Sequence, residues 1–566
     1  MHTPIAMKSI QKYIILALAL TFCGTDSRAY GQATENHNSK ITRNLEIFNE
    51  IYRALDLYYV DTLAADTVIR WAIDGMLMRV DPFTGYYPAD DDDLRQMATG
   101  KYAGIGSYIR YHEKLDRVVI SEPFENSPSR EAGLRAGDII ISVDGKDIKG
   151  MSTSKVSEML RGETGTTMEL RYRRPGTDDI LTTHITRRAI QVPSIPYYGI
   201  MDEGIGYINF NSFTSGCARE MRNALLQLTS QGARSLILDI RDNGGGAVNE
   251  AVDIVNLFLN KGIKVVYTKG KQPATNHDYF TTSDPVAPEL PLVVLVNGAS
   301  ASSSEILSGA LQDMDRAVVM GTRTFGKGLV QALREVPYRG ELKVTTGRYY
   351  IPSGRCIQAH EYDHNGNIKA IPDSLQKPFY TLGGRRVMDG GGIQPDSVVT
   401  TDTLPTMVYD LANSYIFFDW VTDYVRRHPS IPAPGDFHID DSTYADFCRY
   451  VLEADFQYNR RSDEAIKFLR QIARMEGYLE EAEAEMKALE AKFAPDTAKD
   501  LKRLRHHIIP YLENEIIGRS YMQRGVLRHT IPQDKAYRRA VDLLRHPEAY
   551  RAILKGAGQN STEHTD

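Results

Sequence analysis

Residues 297–331 read NGASASSSEILSGALQDMDRAVVMGTRTFGKGLVQ, and the rest of the chain is organised around them. An apolar run just upstream, PLVVLVN (291–297), delivers a serine cluster to the start of a helix. A second run, RAVVMG (316–321), delivers Lys327 between Gly326 and Gly328. Ser302 and Lys327 lie 25 positions apart, one pass of strand, helix and strand. That spacing returns a hydroxyl and an amine to the same end of a parallel sheet, where sites in such folds gather.

Each residue has a plainer reading to overcome. Ser302 and Glu305 form S-x-x-E, a capping box whose hydroxyl and carboxylate satisfy free N–H groups at a helix start. Yet Ser300, Ser303 and Ser304 crowd the same turn, more hydroxyls than one cap requires. A serine there also meets the helix N-terminus, where the N–H of Ser303 can stabilise an oxyanion. Lysines are ordinarily solvated surface charges, and a lysine acting as a base must lose its proton from a pKa near ~10.4 by burial. The neighbours Thr324, Phe325, Gly326 and Gly328 offer no carboxylate to hold the charge, and the Gln331 amide can steady an amine without charging it.

Two rival chemistries fall away. Gly321–Lys327 fits the G-x-x-x-x-G-K of a phosphate-binding loop, and LILD (236–239) mimics a Walker B strand. Gly328, however, stands where that motif needs a hydroxyl for magnesium, and the LILD run precedes the loop instead of following it. A histidine triad finds no support either, since no histidine lies between His277 and His360. A third strand end, Arg241-Asp242-Asn243-Gly244-Gly245-Gly246, lets backbone approach a ligand closely. Gly244 or Gly245 is the expected second oxyanion donor.

Working outward, residues 191–405 alternate buried-strand runs (GIGYINF, SLILDI, PLVVLV, RAVVM) with helical stretches at 217–229, 247–259 and 302–314. The alternation predicts right-handed crossovers and a largely parallel sheet. The turns after SLILDI, PLVVLV and RAVVM should converge. Residues 100–190 change to short β-type runs with a single helical patch at 153–160. There AGIGSYI, SPSREAGLRAGDIIISVDG and LRGETGT, in that order, resemble a PDZ domain. The loop Gly104-Ile105-Gly106 is expected to point N–H groups at a peptide's terminal carboxylate, beside a strand edge that pairs with the peptide.

Residues 32–99 read as helical, with Leu45, Phe48, Ile51, Tyr52 and Leu55 at three- and four-residue steps. The acidic run Asp90–Asp93 reads as a solvated turn, because no loop glycine or closing glutamate of a calcium site follows. Residues 1–31 carry Lys8 and Lys12, an apolar run at 13–22 and small residues suited to cleavage. This is a secretory signal, with an uncleaved anchor as the alternative, and it places the chain in the periplasm or otherwise outside the cytoplasm. Residues 406–566 form a helical extension, with a linker at Pro432 and Pro434 and long helices beyond it. The extension serves packing, dimerisation or substrate guidance; the final GQNSTEHTD reads as disordered.

Composition sets the outer bounds. At 566 residues the chain needs several cores, and 42% hydrophobic with 25% charged residues is ordinary for a globular protein. A net charge of −6 gives no footprint for nucleic acid. Cleavage of the signal leaves Cys217, Cys356 and Cys448, so no disulfide framework is expected. Without CxxC, HExxH or a Cys/His cluster, neither a metal nor a cofactor is expected.

Taken together, IRDNGGG, VNGASASSSEI-x-x-GALQD, GTRTFGKGLVQ, TTGRYYIPSGRCIQ and GGIQPDSVV, following a PDZ domain, resemble the carboxyl-terminal processing peptidases, or tail-specific proteases. The resemblance runs from Tyr102 to Val399, and Asp81–Thr84 (DPFT) is similar to the family's DPHS. It implies a multidomain α/β protein, with a crotonase-like protease core carrying an inserted PDZ domain between helical terminal regions. It also implies a serine endopeptidase in which Ser302 is the nucleophile, Lys327 the base and Gln331 its helper. Substrates would be proteins with exposed C-terminal tails; a homodimer and inner-membrane association stay open. Gly244, and Ser303 in place of the usual alanine, depart from the family pattern, and the helical tail is less typical of it. The alternatives from other classes are a non-catalytic PDZ adaptor on a dead protease core and a crotonase-like acyl-CoA enzyme.

Overall fold

The computed structural model describes residues 37–89, 94, 96, 99–363, 367–400, 404–458, 460–494 and 496–556. The expected signal (1–31), the acidic turn (90–93) and the last residues, 558–566, lie outside the described residues. The chain divides into two units, one ending at Tyr86 and one beginning at Tyr87.

In the first unit, helix α1 (37–58) carries the periodic residues Leu45, Phe48, Ile51 and Leu55 on an exposed row. Helix α2 (Ala65–Leu77) follows. The DPFT turn closes on Asp81, whose carboxylate accepts from the amides of Phe83 (2.8 Å) and Thr84 (2.7 Å).

In the second unit, residues from 101 to 191 build the expected β-rich domain. Strands β1 (Lys101–Gly104), β2 (Ser107–His112), β3 (Arg117–Pro123) and β4 (Ile139–Val143) come first. Helix α3 (Thr153–Leu160) occupies the predicted patch, capped by the Ser152 hydroxyl. Strands β5 (Thr167–Arg173), β6 (Ile180–Thr186) and β7 (Arg188–Gln191) complete the domain. The sheet runs β2-β3-β4-β5-β6, which leaves β2 at an edge, while β1 pairs with β7.

The core follows. Strands β8 (Tyr197–Asp202), β9 (Ile205–Asn209) and β10 (Ser235–Asp239) flank helix α4 (Cys217–Ser230), and helix α5 (Val248–Val255) comes next. Strands β11 (Lys264–Gly270) and β12 (His277–Phe280) form a hairpin. Then come β13 (Leu292–Val296), helix α6 (Ser303–Asp313), β14 (Val318–Gly321), β15 (Leu329–Val336), β16 (Gly340–Tyr350) and β17 (Ser397–Val398). The main sheet runs β8-β9-β10-β13-β14-β17, parallel from β9 onward, with β8 antiparallel to β9. A separate antiparallel sheet pairs β16 with β11 and with β15.

The inner strands are buried on both faces, as parallel strands must be. One face, with Leu236, Leu238, Val294 and Val319, packs on α4, α5 and α6. The other face, with Tyr207, Ile237, Val293, Leu295 and Val318, is covered by residues of the C-terminal region: Ile531, Tyr537, Ala540, Val541 and Tyr550. Three of these sit on α14 (Lys535–Arg545) and one on α15 (Pro547–Leu554), labels that count the helices α7 (Thr406–Asn413) to α13 (Arg505–Thr530) before them. The boundary expected at residue 405 therefore cuts through one hydrophobic core, because a sheet apolar on both sides needs a second cover.

The rest of the C-terminal region has its own core around Trp420, Phe417, Phe447 and Ile508. The linker expected at Pro432 and Pro434 is packed into it through Ile431, Phe437 and Ile439. The long helices expected after residue 450 are shorter, α9 (Asp441–Glu453), α10 (Arg461–Met475) and α11 (Glu483–Lys492). Asp455 and Gly477, both at positive φ, break them. Among the described residues no helix is long and apolar enough to cross a membrane.

Candidate active site

Strands β10, β13 and β14 are consecutive in the sheet, so the turns that leave their carboxyl ends lie side by side. The first carries Arg241–Gly246, the second Ala301–Ser304, the third Thr324–Gly328.

Ser302 is the N-cap of α6, but its backbone is not that of an ordinary cap. Its φ of 56° and ψ of −116° leave the extended region that N-caps occupy. A non-glycine residue held at positive φ on a strand-to-helix turn costs on the order of 1–3 kcal/mol and is kept only where the surroundings impose it. The imposing groups are Glu305 and Tyr349. Glu305 is fully buried, and its carboxylate accepts four hydrogen bonds. Oε2 takes the amides of Ser302 and Lys327, each at 2.9 Å. Oε1 takes the Thr324 hydroxyl at 2.5 Å and the Gly326 amide at 2.7 Å. Burial pushes the Glu305 pKa up to about 7, against the pull of these donors. The Tyr349 hydroxyl, also buried, lies 2.6 Å from the carbonyl of Lys327 and 3.2 Å from that of Ser302. Two buried side chains thus tie the backbone of Ser302 to that of Lys327. Both residues are half-buried. Gln331 sits on β15 at a bulge, and its amide donates to the Thr345 hydroxyl on β16 (3.2 Å).

The other serines of the cluster act as stitches to the glycine turn. Ser300 Oγ donates to the carbonyl of Ile240 (2.8 Å), Ser303 Oγ to Gly246 (2.8 Å) and Ser304 Oγ to Asn243 (2.7 Å). All three are fully buried. Their excess over a simple cap is explained by this second strand end. Gly245, at φ +98°, is so close that a Cβ there would stand 2.7 Å from the Ala301 carbonyl oxygen and 2.9 Å from the Ser303 nitrogen. The Gly245 N–H turns inward to Asn243 Oδ1 (2.9 Å). Gly244 is exposed, and among the described residues neither its N–H nor that of Ser303 has an acceptor.

In the β-rich domain, Gly104 ends β1, and Ile105 and Gly106 form the loop to β2. The carbonyls of Ile105 and Gly106 are held by the amides of Ser129 and Phe124, each at 2.9 Å. Their N–H groups have no acceptor among the described residues.

Sequence reasoning missed three residues that shape the site. Glu305 was legible only as a helix cap, Thr324 only as a neighbour of the lysine, and Tyr349 only as a letter in TTGRYYIPSG. No local pattern marks their convergence, because Tyr349 arrives from the far end of β16.

Comparison with known proteins agrees with this architecture. The model for peptidase family S41 matches residues 204–368, that for a PDZ domain residues 119–174. The model for the C-terminal helical domain of probable PDZ-proteases matches residues 407–544. The carboxy-terminal-processing protease of Bartonella bacilliformis is 34% identical over 330 residues, 57% of this chain and 75% of that protein. The carboxyl-terminal-processing protease of a Picosynechococcus species is 36% identical over 277 residues, 48% of this chain and 66% of its own. A solved photosystem II D1 C-terminal processing protease is 27% identical, with 64% of this chain and 94% of that one covered at a TM-score of 0.34. The chain belongs to the carboxyl-terminal-processing protease family, serine-type peptidases that here carry a PDZ domain.

Proposed function

We propose that Ser302 and Lys327 form the catalytic dyad of an exported endopeptidase that cleaves protein substrates near their C-termini. The supporting observation is the double tie, through Glu305 and Tyr349, that fixes the two backbones relative to each other. Neutral Lys327 Nζ accepts the Ser302 proton as Oγ attacks the scissile carbonyl carbon, and Gln331 steadies the amine. The N–H groups of Gly244 and Ser303 hold the oxyanion, while Gly245 permits the close approach and keeps its own N–H on Asn243. Collapse expels the amine, which takes the proton from the Lys327 ammonium. Water, deprotonated by the same lysine, then releases the acyl group. The core adopts the crotonase-like arrangement implied by the family.

The N–H groups of Ile105 and Gly106 would receive the substrate's terminal carboxylate while its last residues add to the free edge of β2. Residues 1–31 direct export and allow association with the inner membrane. The exposed row on α1 favours a homodimer.

The test is cleavage of a peptide with an apolar C-terminus by the wild-type chain and by Ser302→Ala. Equal rates would remove Ser302 from the mechanism. A rate profile flat between about pH 6 and 9 would exclude a titrating lysine. Reaction of Ser302 with a serine-directed phosphonate separates the enzyme from a dead, PDZ-only adaptor.

A further inference from the structure

The turn that carries Gly244 is held residue by residue. The Asp242 amide donates to Asn297 Oδ1 at 3.0 Å, and Asn297 Nδ2 returns a bond to Asp242 Oδ1 at 2.9 Å. Asn243, fully buried, donates to the Phe210 carbonyl at 2.9 Å. These partners all come from the core. Arg241 differs. Its Nε and Nη2 grip Asp239 at 2.9 Å (Oδ1) and 2.6 Å (Oδ2), and Asp239 is itself buried and bonded to the Tyr207 hydroxyl (2.7 Å). The remaining Nη1 donates to Asp534 Oδ2 at 2.9 Å, across 293 residues of chain.

Asp534 is a fixed acceptor. It is the N-cap of α14, where Oδ1 accepts from the Tyr537 amide at 2.7 Å. Three residues on, Tyr537 is buried against the sheet, edge-on to Tyr207 with ring centroids 5.7 Å apart. One carboxylate therefore caps a helix packed beneath the sheet and grips the first residue of the glycine turn. A guanidinium suits this bridge because its planar fork grips one carboxylate bidentately and leaves a third N–H for the second, a geometry that the point charge of an ammonium does not match.

We infer that Asp534 and Arg241 are positioning residues for the acyl-transfer site, through which the C-terminal helical region sets the turn that presents the Gly244 N–H. The inference rests on the oxyanion reading given above. The C-terminal region is then a part of the catalytic apparatus as well as a cover for the sheet.

The test uses the full chain and Asp534→Asn. Asparagine caps a helix as well as aspartate does, so the start of α14 is kept and the charge alone is lost. Removing an oxyanion donor outright costs 10²–10³-fold in kcat. A misplaced donor should cost about tenfold, with KM within about twofold and the melting temperature unchanged. Phosphonylation of Ser302 should slow in parallel. Asp534→Glu should recover part of the rate, and Arg241→Lys should repeat the kcat-selective loss. Wild-type kcat in Asp534→Asn, or a joint loss of kcat and melting temperature that Asp534→Glu does not relieve, overturns the inference. Ser302→Ala run alongside separates the two failures. Cleavage by that variant removes the dyad and this inference with it, whereas an inert Ser302→Ala beside a fully active Asp534→Asn removes this inference alone.

Discussion

Replacing Gly245 by alanine should severely impair catalysis, while the same change at Gly244 should leave it nearly intact. At Gly245 the added Cβ meets the Ala301 oxygen at 2.7 Å, Ser302 Cβ at 2.8 Å and the Ser303 nitrogen at 2.9 Å. Two of these are backbone atoms of the nucleophile turn, so no side chain can rotate away to relieve the clash. An L-residue in the left-handed region adds roughly 1–2 kcal/mol, and overpacking a closed site adds roughly 1–3 kcal/mol. A destabilisation of about 2–5 kcal/mol follows if the turn yields nowhere else. Relief by displacement is worse for function, since it moves Ser302 and the Ser303 N–H together. By the cost of losing an oxyanion donor, kcat should then fall by about 10²–10³. At Gly244 nothing among the described residues lies within 4 Å of the added Cβ, φ is not positive, and the N–H is retained. That variant should keep kcat within about threefold. Peptide cleavage under saturating and limiting substrate, beside urea denaturation, reads both effects. A Gly245→Ala enzyme with wild-type kcat, or equal losses in the two variants, would refute the reasoning.

Glu305 should make stability depend on pH. Its pKa is raised from 4.5 to about 7 by burial, so its contribution is fully present below pH 4.5 and is lost as pH rises through 7. Relative to Glu305→Gln, which cannot titrate, the wild type should lose about 3 kcal/mol between pH 4.5 and 8; a constant difference in urea melts would contradict this. Tyr537 buries a hydroxyl that has no hydrogen-bond partner among the described residues. Tyr537→Phe should therefore be neutral or stabilising by about 1–2 kcal/mol, whereas Tyr537→Ala should cost about 3–5 kcal/mol. A phenylalanine variant that melts well below wild type would show that the hydroxyl has a partner after all. Arg355 and Asp313 form a buried pair at 2.8 Å beside the C-terminus of α6. Arg355→Met leaves Asp313 buried and uncompensated, and about 3–5 kcal/mol of stability should go with it. Unchanged denaturation would contradict this.

The parts of this structure that were legible in the sequence share one property: their physics is local. The alternation of apolar runs with amphipathic stretches pointed to the parallel sheet, and the helical patch expected at 153–160 is α3, whose start the Ser152 hydroxyl caps. The turns of Ser302 and Lys327 were expected at one end of the sheet because strand, helix and strand form a fixed geometric step, and the two turns do lie side by side there. What stayed hidden depends on distant chain. That the Gly245 N–H is taken up by Asn243 Oδ1 goes with the close approach of residues 301–303, which comes from distant chain. The role of the C-terminal region was hidden for a subtler reason. PLVVLV is apolar at every position and SLILDI holds an unbroken apolar LIL, which already implies two covered faces. The helices of residues 191–405 supply one cover. The missing cover was a deduction open to the sequence, though its address, 531–554, was not.

The two readings of Ser302-x-x-Glu305, capping box or catalytic turn, do not compete. A capping glutamate must reach back to the N–H of its N-cap residue, and Glu305 does so. That same requirement brings a carboxylate with spare lone pairs to the one place where the turn from the next strand passes. The loop of Lys327 arrives with two amides and a hydroxyl facing inward, and burial leaves them no water to bond. Joining them to Glu305 satisfies both turns at once. Because a half-satisfied buried carboxylate is costly, the two turns are stable together and poor apart. The backbone geometry of Ser302 is thereby coupled to the placement of the Lys327 loop. A chain whose lysine loop is displaced should lose the backbone geometry of Ser302, the proposed nucleophile, together with Lys327, its proposed base. Truncating Glu305 should therefore impair reaction with a small phosphonate, which needs no leaving-group protonation, as severely as it impairs peptide cleavage.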